Sequence, residues 1–208
     1  MELSIIIVNY NVYQDVIICI SSIYKYLRDI DLEIIVVDNN SSDRSIVELN
    51  NVFKNVKLIL LPENMGFGAA NNAAMKIAKG KFFFLVNPDI IFNDGSPLNM
   101  LEYIKTHENI GAIGPVQIKP GLGIEYYYTF FPSLYSRFAQ EFFLYMTAPL
   151  MRYRFFKFWD DNIARNVPFK VDWVMGSALM VRSEIYEKTG SMDEAFFLYE
   201  EETEWQYR

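Results

Sequence analysis

Short apolar runs rich in β-branched residues alternate with longer segments of helical period over the first 120 residues of the chain. This alternation is typical of a parallel sheet covered by helices, because strands buried on both faces have no polar side. The predicted strands are residues 4–8, 33–37, 57–61 and 81–86, and the predicted helices are residues 15–27, 46–53, 69–78 and 97–106. We therefore expect an α/β fold with helices flanking the sheet.

Polar residues directly follow three of the predicted strands, in the segments 9–11, 38–43 and 87–89. In open α/β sheets, ligands bind beyond the carboxyl ends of the strands, at the point where strand order reverses. Polar turns also occur at these places in α/β proteins without any ligand. Three such clusters together, each with amides or a carboxylate after a buried strand, favour a binding site.

The pattern changes after residue 120. Of the 34 aromatic residues, 15 lie between residues 126 and 159, together with four basic residues and one acid. Two interpretations stay open: peripheral contact with the headgroup region of a membrane, or a buried core or homodimer interface. Beyond this stretch, the apolar run 171–182 predicts another strand. Because no repeat or low-complexity linker interrupts the chain, we expect residues 1–208 to form a single domain.

Charge and cysteine content narrow the function classes. The chain has 19 Lys and Arg against 26 Asp and Glu, a net charge of -7 that would repel a phosphate backbone, so no nucleic-acid partner is expected. The one cysteine, Cys19, lies in an apolar stretch and has no internal partner, which favours a reducing cytoplasm. The first apolar run ends at Asn9 and has no basic region before it, so we expect no signal peptide.

Six short motifs occur in the order that a known family shows. They are Val8–Asn11, Val36–Asp43, Asn64–Asn72, Asn87–Asp89, Gly176–Arg182 and Asp193–Glu202. On these motifs the chain resembles the family 2 glycosyltransferases of the GT-A fold, in particular the rhamnosyltransferase-like members that build bacterial surface polysaccharides. The resemblance implies a Rossmann-like, mixed and mostly parallel sheet. It also implies a nucleotide-sugar-binding half in residues 1–120 and an acceptor and catalytic half in residues 121–208. Family members generally continue beyond the last motif, so we expect further residues to complete the acceptor half.

The reaction that the resemblance implies is transfer of a sugar from a nucleotide diphosphate to an acceptor hydroxyl, with inversion at the anomeric carbon. The implied donor is a UDP- or dTDP-sugar, with dTDP-rhamnose as one candidate, and the implied acceptor is a saccharide or a lipid-linked saccharide. A divalent metal, Mn²⁺ or Mg²⁺, would stabilise the charge that develops on the diphosphate. We expect such an enzyme to work in the cytoplasm, at the inner face of the membrane where its acceptor is lipid-linked.

The same resemblance assigns roles to individual residues. Asp89 matches the metal-binding carboxylate and Glu202 the catalytic base, with Glu201 and Asp193 as alternative bases. The residues that match the donor-binding positions are Asn9, Tyr10, Asp38, Asn40, Asn64, Gly66, Phe67, Asn71 and Asn87. The chain departs from the family at two of these motifs. It has Glu201-Glu202 where the family usually has Glu-Asp, and Asn87-Pro88-Asp89 where the family commonly has Asp-x-Asp.

The residues themselves allow plainer interpretations of both acidic motifs. Like charges at Glu200, Glu201, Glu202 and Glu204 would raise one another's pKa towards the range that a general base needs, but acids also simply favour a helix N-terminus. Pro88 can fix a turn in which the carboxylate of the next residue caps the following segment. For the acids, only the family resemblance favours the catalytic interpretation.

Two other classes of function stay open at this stage. A nucleotidyltransferase shares the α/β sheet and a metal-binding carboxylate, but it would need a Gly-rich basic loop near the first strand, and residues 8–12 contain neither Gly nor Lys. A catalytically weak nucleotide-sugar-binding or interaction module would bind a nucleotide without turning it over. The Glu202 departure keeps this alternative open.

Overall fold

A computed structural model describes residues 1–42, 45–125, 131 and 149–208 of the chain. The chain divides into two compact units. The first comprises residues 1–115, 174–206 and 208, and the second comprises residues 116–173 and 207. Each unit is described by itself.

Helices and strands alternate along most of the chain. The strands are β1 (Leu3–Asn9), β2 (Leu32–Asp38), β3 (Val56–Leu60), β4 (Phe82–Val86), β5 (Ala112–Ile113), β6 (Ile118–Lys119), β7 (Gly123–Ile124) and β8 (Ala178–Arg182). The helices are α1 (Tyr13–Tyr26), α2 (Leu49–Val52), α3 (Gly66–Met75), α4 (Ser96–Thr106), α5 (Pro149–Ala164), α6 (Ser183–Thr189) and α7 (Glu201–Tyr207), and a 3₁₀ turn (Ser45–Glu48) precedes α2.

The first unit is built on a six-stranded sheet with the strand order β3-β2-β1-β4-β8-β5. β3, β2, β1 and β4 are parallel, whereas β8 pairs antiparallel with both β4 and β5. Every residue of β4 is buried, and β1 and β2 are buried along almost their whole length. Strand order reverses beside β1, which lies between β2 and β4, so a crevice for a ligand is expected at the carboxyl ends of these strands.

The predicted mixed, mostly parallel α/β sheet is confirmed, and the first four predicted strands agree with β1 to β4 within one residue at each end. The strand predicted over residues 171–182 is wrong in its first half, because only Ala178–Arg182 pairs with the sheet. Ahead of it, the backbone amide of Val174 is held by the side chain of Gln206 instead of by a strand. The third predicted helix, 69–78, begins earlier than expected, at Gly66.

The second unit contains the β6–β7 hairpin and α5. The Lys119 ammonium forms an ion pair with Glu125 across the hairpin. Beyond the hairpin, the indole of the buried Trp159 packs edge-on against Phe169, with 5.7 Å between the ring centroids. Residues 126–130 and 132–148 lie outside the described residues, and they include most of the aromatic stretch for which membrane contact or an interface was predicted. Within the described ranges, no helix has the length and apolar character needed to cross a membrane.

Arg182, the last residue of β8, closes the C-terminal end of α4. Its guanidinium donates hydrogen bonds to the carbonyl oxygens of Ile104, His107 and Ile110, and it lies 5.5 Å from the ring centroid of Phe82. A helix end leaves carbonyl groups without partners inside the helix, and this one side chain binds that of Ile104 in the last turn of α4 as well as those of His107 and Ile110 just after it. Arg182 therefore ties α4 to the antiparallel part of the sheet.

We expect Arg182→Met to lower the free energy of unfolding by about 2–3 kcal/mol, because it leaves these carbonyl groups without their charged donor. Urea unfolding followed by circular dichroism measures the change. Lys188→Met is the matched control, since Lys188 is exposed on α6, and it should shift the free energy by about 0.5 kcal/mol or less. Equal losses in the two variants would contradict a structural role for Arg182.

Candidate active site

The carboxyl ends of β1 and β2 are joined by a buried hydrogen-bond network. Asn9 ends β1, and its side-chain amide donates to Asp38 Oδ1 at 2.7 Å and to Ser41 Oγ at 2.9 Å. The Ser41 hydroxyl and backbone amide in turn donate to the two carboxylate oxygens of Asp38, at 2.6 and 3.0 Å. Asp38 is only 5% exposed, so these bonds hold a buried carboxylate at the strand end. The structure thus brings two predicted donor-binding residues into contact.

A second network connects β2 to the turn before α3. The Asn39 side chain donates to Asn64 Oδ1 at 2.8 Å and to the Gly66 carbonyl at 3.2 Å, and it accepts a hydrogen bond from the Met65 amide at 2.9 Å. Asn64 Oδ1 also accepts from the Gly66 amide. These bonds explain why α3 begins at Gly66, three residues before the Ala-rich run that predicted it.

Gly66 brings the start of α3 against the backbone of Phe197. Its φ of 84° lies in the left-handed region, and a Cβ at this position would stand 2.3 Å from the Phe197 carbonyl oxygen. The next amide, that of Phe67, donates to the same oxygen at 3.1 Å. Only glycine fits such a close backbone approach at this φ. The start of α3 therefore contacts the segment that leads to the acidic motif.

The turn after β4 is connected to Glu202 through two residues that precede β8. The Asn87 amide donates to the Ser177 carbonyl at 2.8 Å, and the amide of the neighbouring Gly176 donates to Glu202 Oε1 at 3.2 Å. A Cβ on Gly176 would lie 3.3 Å from the carboxyl carbon of Glu202. Glycine therefore lets the backbone come close to this carboxylate, and residues 176 and 177 connect the predicted metal turn to the predicted base.

The three acids predicted as catalytic differ sharply in their surroundings. Glu201 is 1% exposed, packs its side chain against the position of Gly68, and has one carboxylate oxygen, Oε2, without a hydrogen-bond partner. Glu202 is half-buried. Asp193 is exposed, and its carboxylate accepts a hydrogen bond from the Ala195 amide. Of the adjacent pair, Glu202 is the more exposed residue.

Burial changes the acidity of both glutamates. It is the main cause that raises the pKa of the Glu202 carboxyl above its ordinary range, and the charge of Glu200 adds to it, while hydrogen bonds such as that from Gly176 work against it. Burial likewise raises the pKa of the Glu201 carboxyl, with further contributions from the charges of Glu202 and Glu200. Raised carboxyl pKa values are typical of general bases and of structural buried acids alike.

Asp89, the predicted metal ligand, is exposed at the carboxyl end of β4. Cys19 of α1 contacts this turn, because its thiol donates a hydrogen bond to the Asn87 carbonyl at 3.8 Å. Burial, helped by the charge of Asp89, raises the pKa of this thiol to about 12. In the part of the chain that the structure describes, no group of three or more His, Cys, Asp or Glu side chains could hold a metal ion. A single exposed carboxylate fits a Mg²⁺ or Mn²⁺ ion that takes its other ligands from substrate phosphates and water.

The remaining predicted residues lie around these networks. Tyr10 is 49% exposed just after β1, and Asn40 is exposed with a left-handed φ of 64°. Asn71 is buried, and its amide donates to the Phe67 carbonyl within α3. Sequence reasoning missed three residues that hold the site together: Asn39, Ser41 and Asn72. All three lie inside motifs that were recognised, but an amide or hydroxyl gives no sign in the sequence of which distant group it binds.

A cavity of about 330 Å³ lies elsewhere on the first unit, lined in part by Lys76, Lys79, Lys81 and Tyr186. Lys81 precedes β4, whereas Asn87 and Asp89 follow it, so this cavity is at the opposite end of that strand. It contains none of the predicted site residues. The candidate site is defined by its converging side chains and not by this cavity.

The chain is similar in sequence to known glycosyltransferases. The sequence profile described as Glycosyl transferase family 2 matches residues 4–190. A poly(ribitol-phosphate) beta-glucosyltransferase of Bacillus spizizenii is 30% identical over 129 residues, which cover 60% of this chain and 20% of the relative. An uncharacterized glycosyltransferase of Haemophilus influenzae is 35% identical over 85 residues, covering 39% of this chain and 32% of the relative.

Solved structures share the fold at lower identity. S. aureus TarS 1-349 in complex with UDP superposes with a TM-score of 0.67 at 18% identity, covering 99% of this chain and 54% of TarS 1-349. The mannosyltransferase PcManGT from Pyrobaculum calidifontis, in complex with GDP-Man and Mn²⁺, superposes with a TM-score of 0.62 at 19% identity, covering 93% of this chain and 48% of PcManGT. The fold is thus the mixed, mostly parallel α/β sheet of the GT-A enzymes, as predicted.

The chain spans a third or less of the two relatives just described and about half of these solved structures. The matched profile covers residues 4–190, far more than half of the chain, and includes the polar networks at the ends of β1, β2 and β4. The acids at 193, 201 and 202 lie beyond the matched region. The chain belongs to glycosyltransferase family 2.

Proposed function

We propose that this chain carries the donor site and the catalytic base of an inverting glycosyltransferase that moves a sugar from a UDP- or dTDP-sugar to an acceptor hydroxyl. The observation that carries the proposal is the link between Glu202 and the Asn87–Asp89 turn through Gly176 and Ser177. It holds a carboxylate of raised pKa beside the turn where a diphosphate and its metal would lie.

The nucleoside would bind at the ends of β1 and β2. Among the described residues, Asp38 Oδ2 accepts one hydrogen bond, from the Ser41 amide, and its other lone pair would accept the N3–H group of a pyrimidine. Tyr10 and Asn40 are exposed beside this network and would line the same pocket. The turn from Asn64 to Phe67 and the first turns of α3 with Asn71 would hold the rest of the donor, since a glycine there allows a close backbone approach.

Glu202 would act on the acceptor. Its carboxylate takes the proton of the acceptor hydroxyl as that oxygen bonds to the anomeric carbon and the bond from this carbon to the diphosphate breaks. A base with no covalent intermediate gives a single displacement and therefore inversion, whereas retention by two displacements needs a carboxylate nucleophile as well. Glu201 is enclosed against α3, which supports Glu202 as the acting carboxylate.

Asp89 would hold a divalent cation together with the diphosphate oxygens. The side-chain amide of Asn87, in the same turn, would lie beside this cation. Bound there, the cation would stabilise the negative charge of the departing diphosphate. With one carboxylate in the turn, metal affinity should be low without nucleotide and rise when the nucleotide is present. The Mn²⁺ complex of PcManGT supports this assignment by analogy of fold.

The acceptor proposed is a saccharide or lipid-linked saccharide of a cell-surface polymer. The similarity to a poly(ribitol-phosphate) beta-glucosyltransferase supports a polymer acceptor, and the UDP and UDP-GlcNAc complexes of TarS support a UDP-sugar. dTDP-rhamnose stays a candidate donor from the motif resemblance. We also propose that residues 1–120 serve the donor and residues 121–208 the acceptor. We propose as well that residues 126–159 contact the inner face of the membrane and that the protein forms a homodimer.

We expect UDP or dTDP to raise the melting temperature of the chain in a Mn²⁺-dependent way. A ligand at about 100 times its Kd adds about 2.7 kcal/mol to the free energy of unfolding, because it binds only the folded state. Differential scanning fluorimetry with UDP, dTDP, GDP and NADH, each with Mn²⁺ and with EDTA, measures the shift. NADH is the negative control. A shift with NADH alone, or with none of the nucleotides, would contradict the proposed donor site.

A further inference from the structure

Helix α3 holds the segment that leads to the catalytic acids at three places. The first is Asn72, which is fully buried and whose side chain binds both backbone groups of Met192. Asn72 Nδ2 donates to the Met192 carbonyl at 2.9 Å, and Asn72 Oδ1 accepts from the Met192 amide at 3.0 Å. The same Nδ2 donates to Glu194 Oε1 at 3.0 Å. One side chain thus fixes a backbone 120 residues further along the chain.

The other two contacts lie about one turn earlier on α3. The Phe67 amide donates to the Phe197 carbonyl at 3.1 Å. The Glu201 side chain packs at Gly68, where a Cβ would stand 3.5 Å from the Glu201 Cβ and Cγ atoms. Residues 192, 197 and 201 are therefore all held against one helix.

The held segment has no regular structure of its own. Between α6 and α7, from Gly190 to Glu200, the chain forms neither helix nor strand. Its last two residues, Tyr199 and Glu200, have left-handed φ values of 71° and 75°, although neither is glycine. Such backbone geometry costs of order 1–3 kcal/mol for each residue and persists only where the surroundings enforce it. The place of Glu202 therefore depends on the contacts that anchor this segment.

We propose that Asn72 is a positioning residue for the transfer reaction: it fixes residues 192–202 on α3 and thereby places the Glu202 carboxylate against the acceptor hydroxyl. Asn72 itself is buried and acts without touching the substrate. This inference rests on the proposed function of Glu202. Without the Asn72 amide, the amide and carbonyl of the buried Met192 lose their partners, and the segment shifts to satisfy them. A displacement of about 1 Å at a reacting group can lower the rate by about 100-fold.

The test compares the wild-type chain with Asn72→Ala, Asn72→Asp and a control, Ser4→Ala. The Ser4 hydroxyl is equally buried, donates to Glu33 Oε1 at 2.7 Å and accepts from the Gly80 amide at 2.8 Å. Its loss removes a comparable pair of hydrogen bonds at the start of β1, away from the acids. Asn72→Asp is nearly the same size as Asn72 and keeps the acceptor for the Met192 amide, but it has no N–H group to donate to the Met192 carbonyl.

Three measurements are made on each variant: hydrogen–deuterium exchange of the peptides that cover residues 192–202, the Kd for UDP with Mn²⁺, and the steady-state release of UDP from UDP-glucose and UDP-GlcNAc. We expect faster exchange of residues 192–202 in Asn72→Ala and in Asn72→Asp but not in Ser4→Ala, and in both Asn72 variants a kcat about 10- to 100-fold below wild type with a UDP Kd within about twofold. Asn72→Asp should be no more active than Asn72→Ala, because it places a carboxylate oxygen where Nδ2 now donates to the Met192 carbonyl and to Glu194 Oε1. Ser4→Ala should be less stable than wild type, with kcat and exchange of residues 192–202 near the wild-type values.

The inference is overturned if Asn72→Ala and Ser4→Ala have the same exchange in residues 192–202, or if Asn72→Ala loses donor affinity and kcat by equal factors. Both results would mean that Asn72 is an ordinary stabilising residue. A wild-type chain that binds neither UDP nor dTDP overturns the proposed function, and the inference with it. This outcome differs from the others because the wild type itself then binds no donor nucleotide.

Discussion

Glu202→Gln should stop sugar transfer while donor binding continues. Loss of a general base lowers a rate by about 10²- to 10⁴-fold, because the acceptor hydroxyl then has to attack with its proton in place. Glutamine keeps the size of the side chain and an oxygen for the Gly176 amide, so the structure around position 202 should hold. UDP release from the donor identified by thermal shift, and the Kd for UDP, are the two measurements.

The pH dependence of kcat tests the same prediction in a second way. The folded-state pKa of Glu202 is raised, mainly by burial, so the carboxylate form that accepts a proton is lost as pH falls through this raised value. We therefore expect the acidic limb of kcat to lie above the ordinary range of a glutamate, and to be absent from the residual activity of Glu202→Gln. A limb in the ordinary range would mean that a solvated carboxylate is the base.

Two variants separate catalysis from a simple loss of charge. Glu202→Asp restores the residue that the family usually carries, and it should retain more activity than Glu202→Gln. Glu187→Gln removes an exposed acid on α6 and should leave kcat unchanged. Full activity in Glu202→Gln would transfer the role of base to Glu201 or Asp193, which are the other acids of the motif.

Asp89→Ala should remove the metal-dependent part of nucleotide affinity. A charge-assisted contact is worth about 1.5–3 kcal/mol, which corresponds to about a 10- to 100-fold higher Kd for UDP in Mn²⁺. In EDTA, wild type and variant should bind UDP equally, since the nucleoside end of the site is untouched. Isothermal titration calorimetry measures the Kd for UDP of the wild type and of Asp89→Ala, each in Mn²⁺ and in EDTA.

Asp29→Ala is the control for this variant, because it removes another exposed aspartate, near the end of α1, far from β4 in sequence. It should leave both UDP affinities unchanged. If Asp89→Ala kept the Mn²⁺ dependence of the wild type, Asp89 would not be a ligand, and the turn with Pro88 would have only a structural role.

The sequence predicts best what depends on local pattern. β1, β2 and β4 follow from apolar β-branched runs, and polar residues such as Asn9 and Asp38 necessarily lie where those runs end. The start of α3 was harder to predict, since two glycines and a phenylalanine at 66–68 look like a loop. They become helical because Asn39 and Asn64 close the preceding turn and Phe197 accepts the Phe67 amide.

Local sequence pattern does not predict contacts between residues that are far apart in the sequence. The apolar residues before Ala178 are as suited to a strand as those after it, but β4 offers an antiparallel edge that only Ala178–Arg182 fills. Asn72 is a similar case. Nothing near it in sequence distinguishes it from Asn71, yet one amide binds inside α3 and the other binds Met192. The two side chains lie on different faces of α3, and the face with Asn72 is the one that contacts Met192.

The position of β8 in the sheet has a consequence for synthesis of the chain. This strand lies between β4 and β5, although it is the last of the strands to leave the ribosome. Until then, the all-apolar β4, Phe82–Val86, has one edge without a partner in the sheet. Unpaired apolar edges join readily with those of other chains. In the interval between translation of β4 and of β8, this apolar edge is therefore open to pairing with other chains.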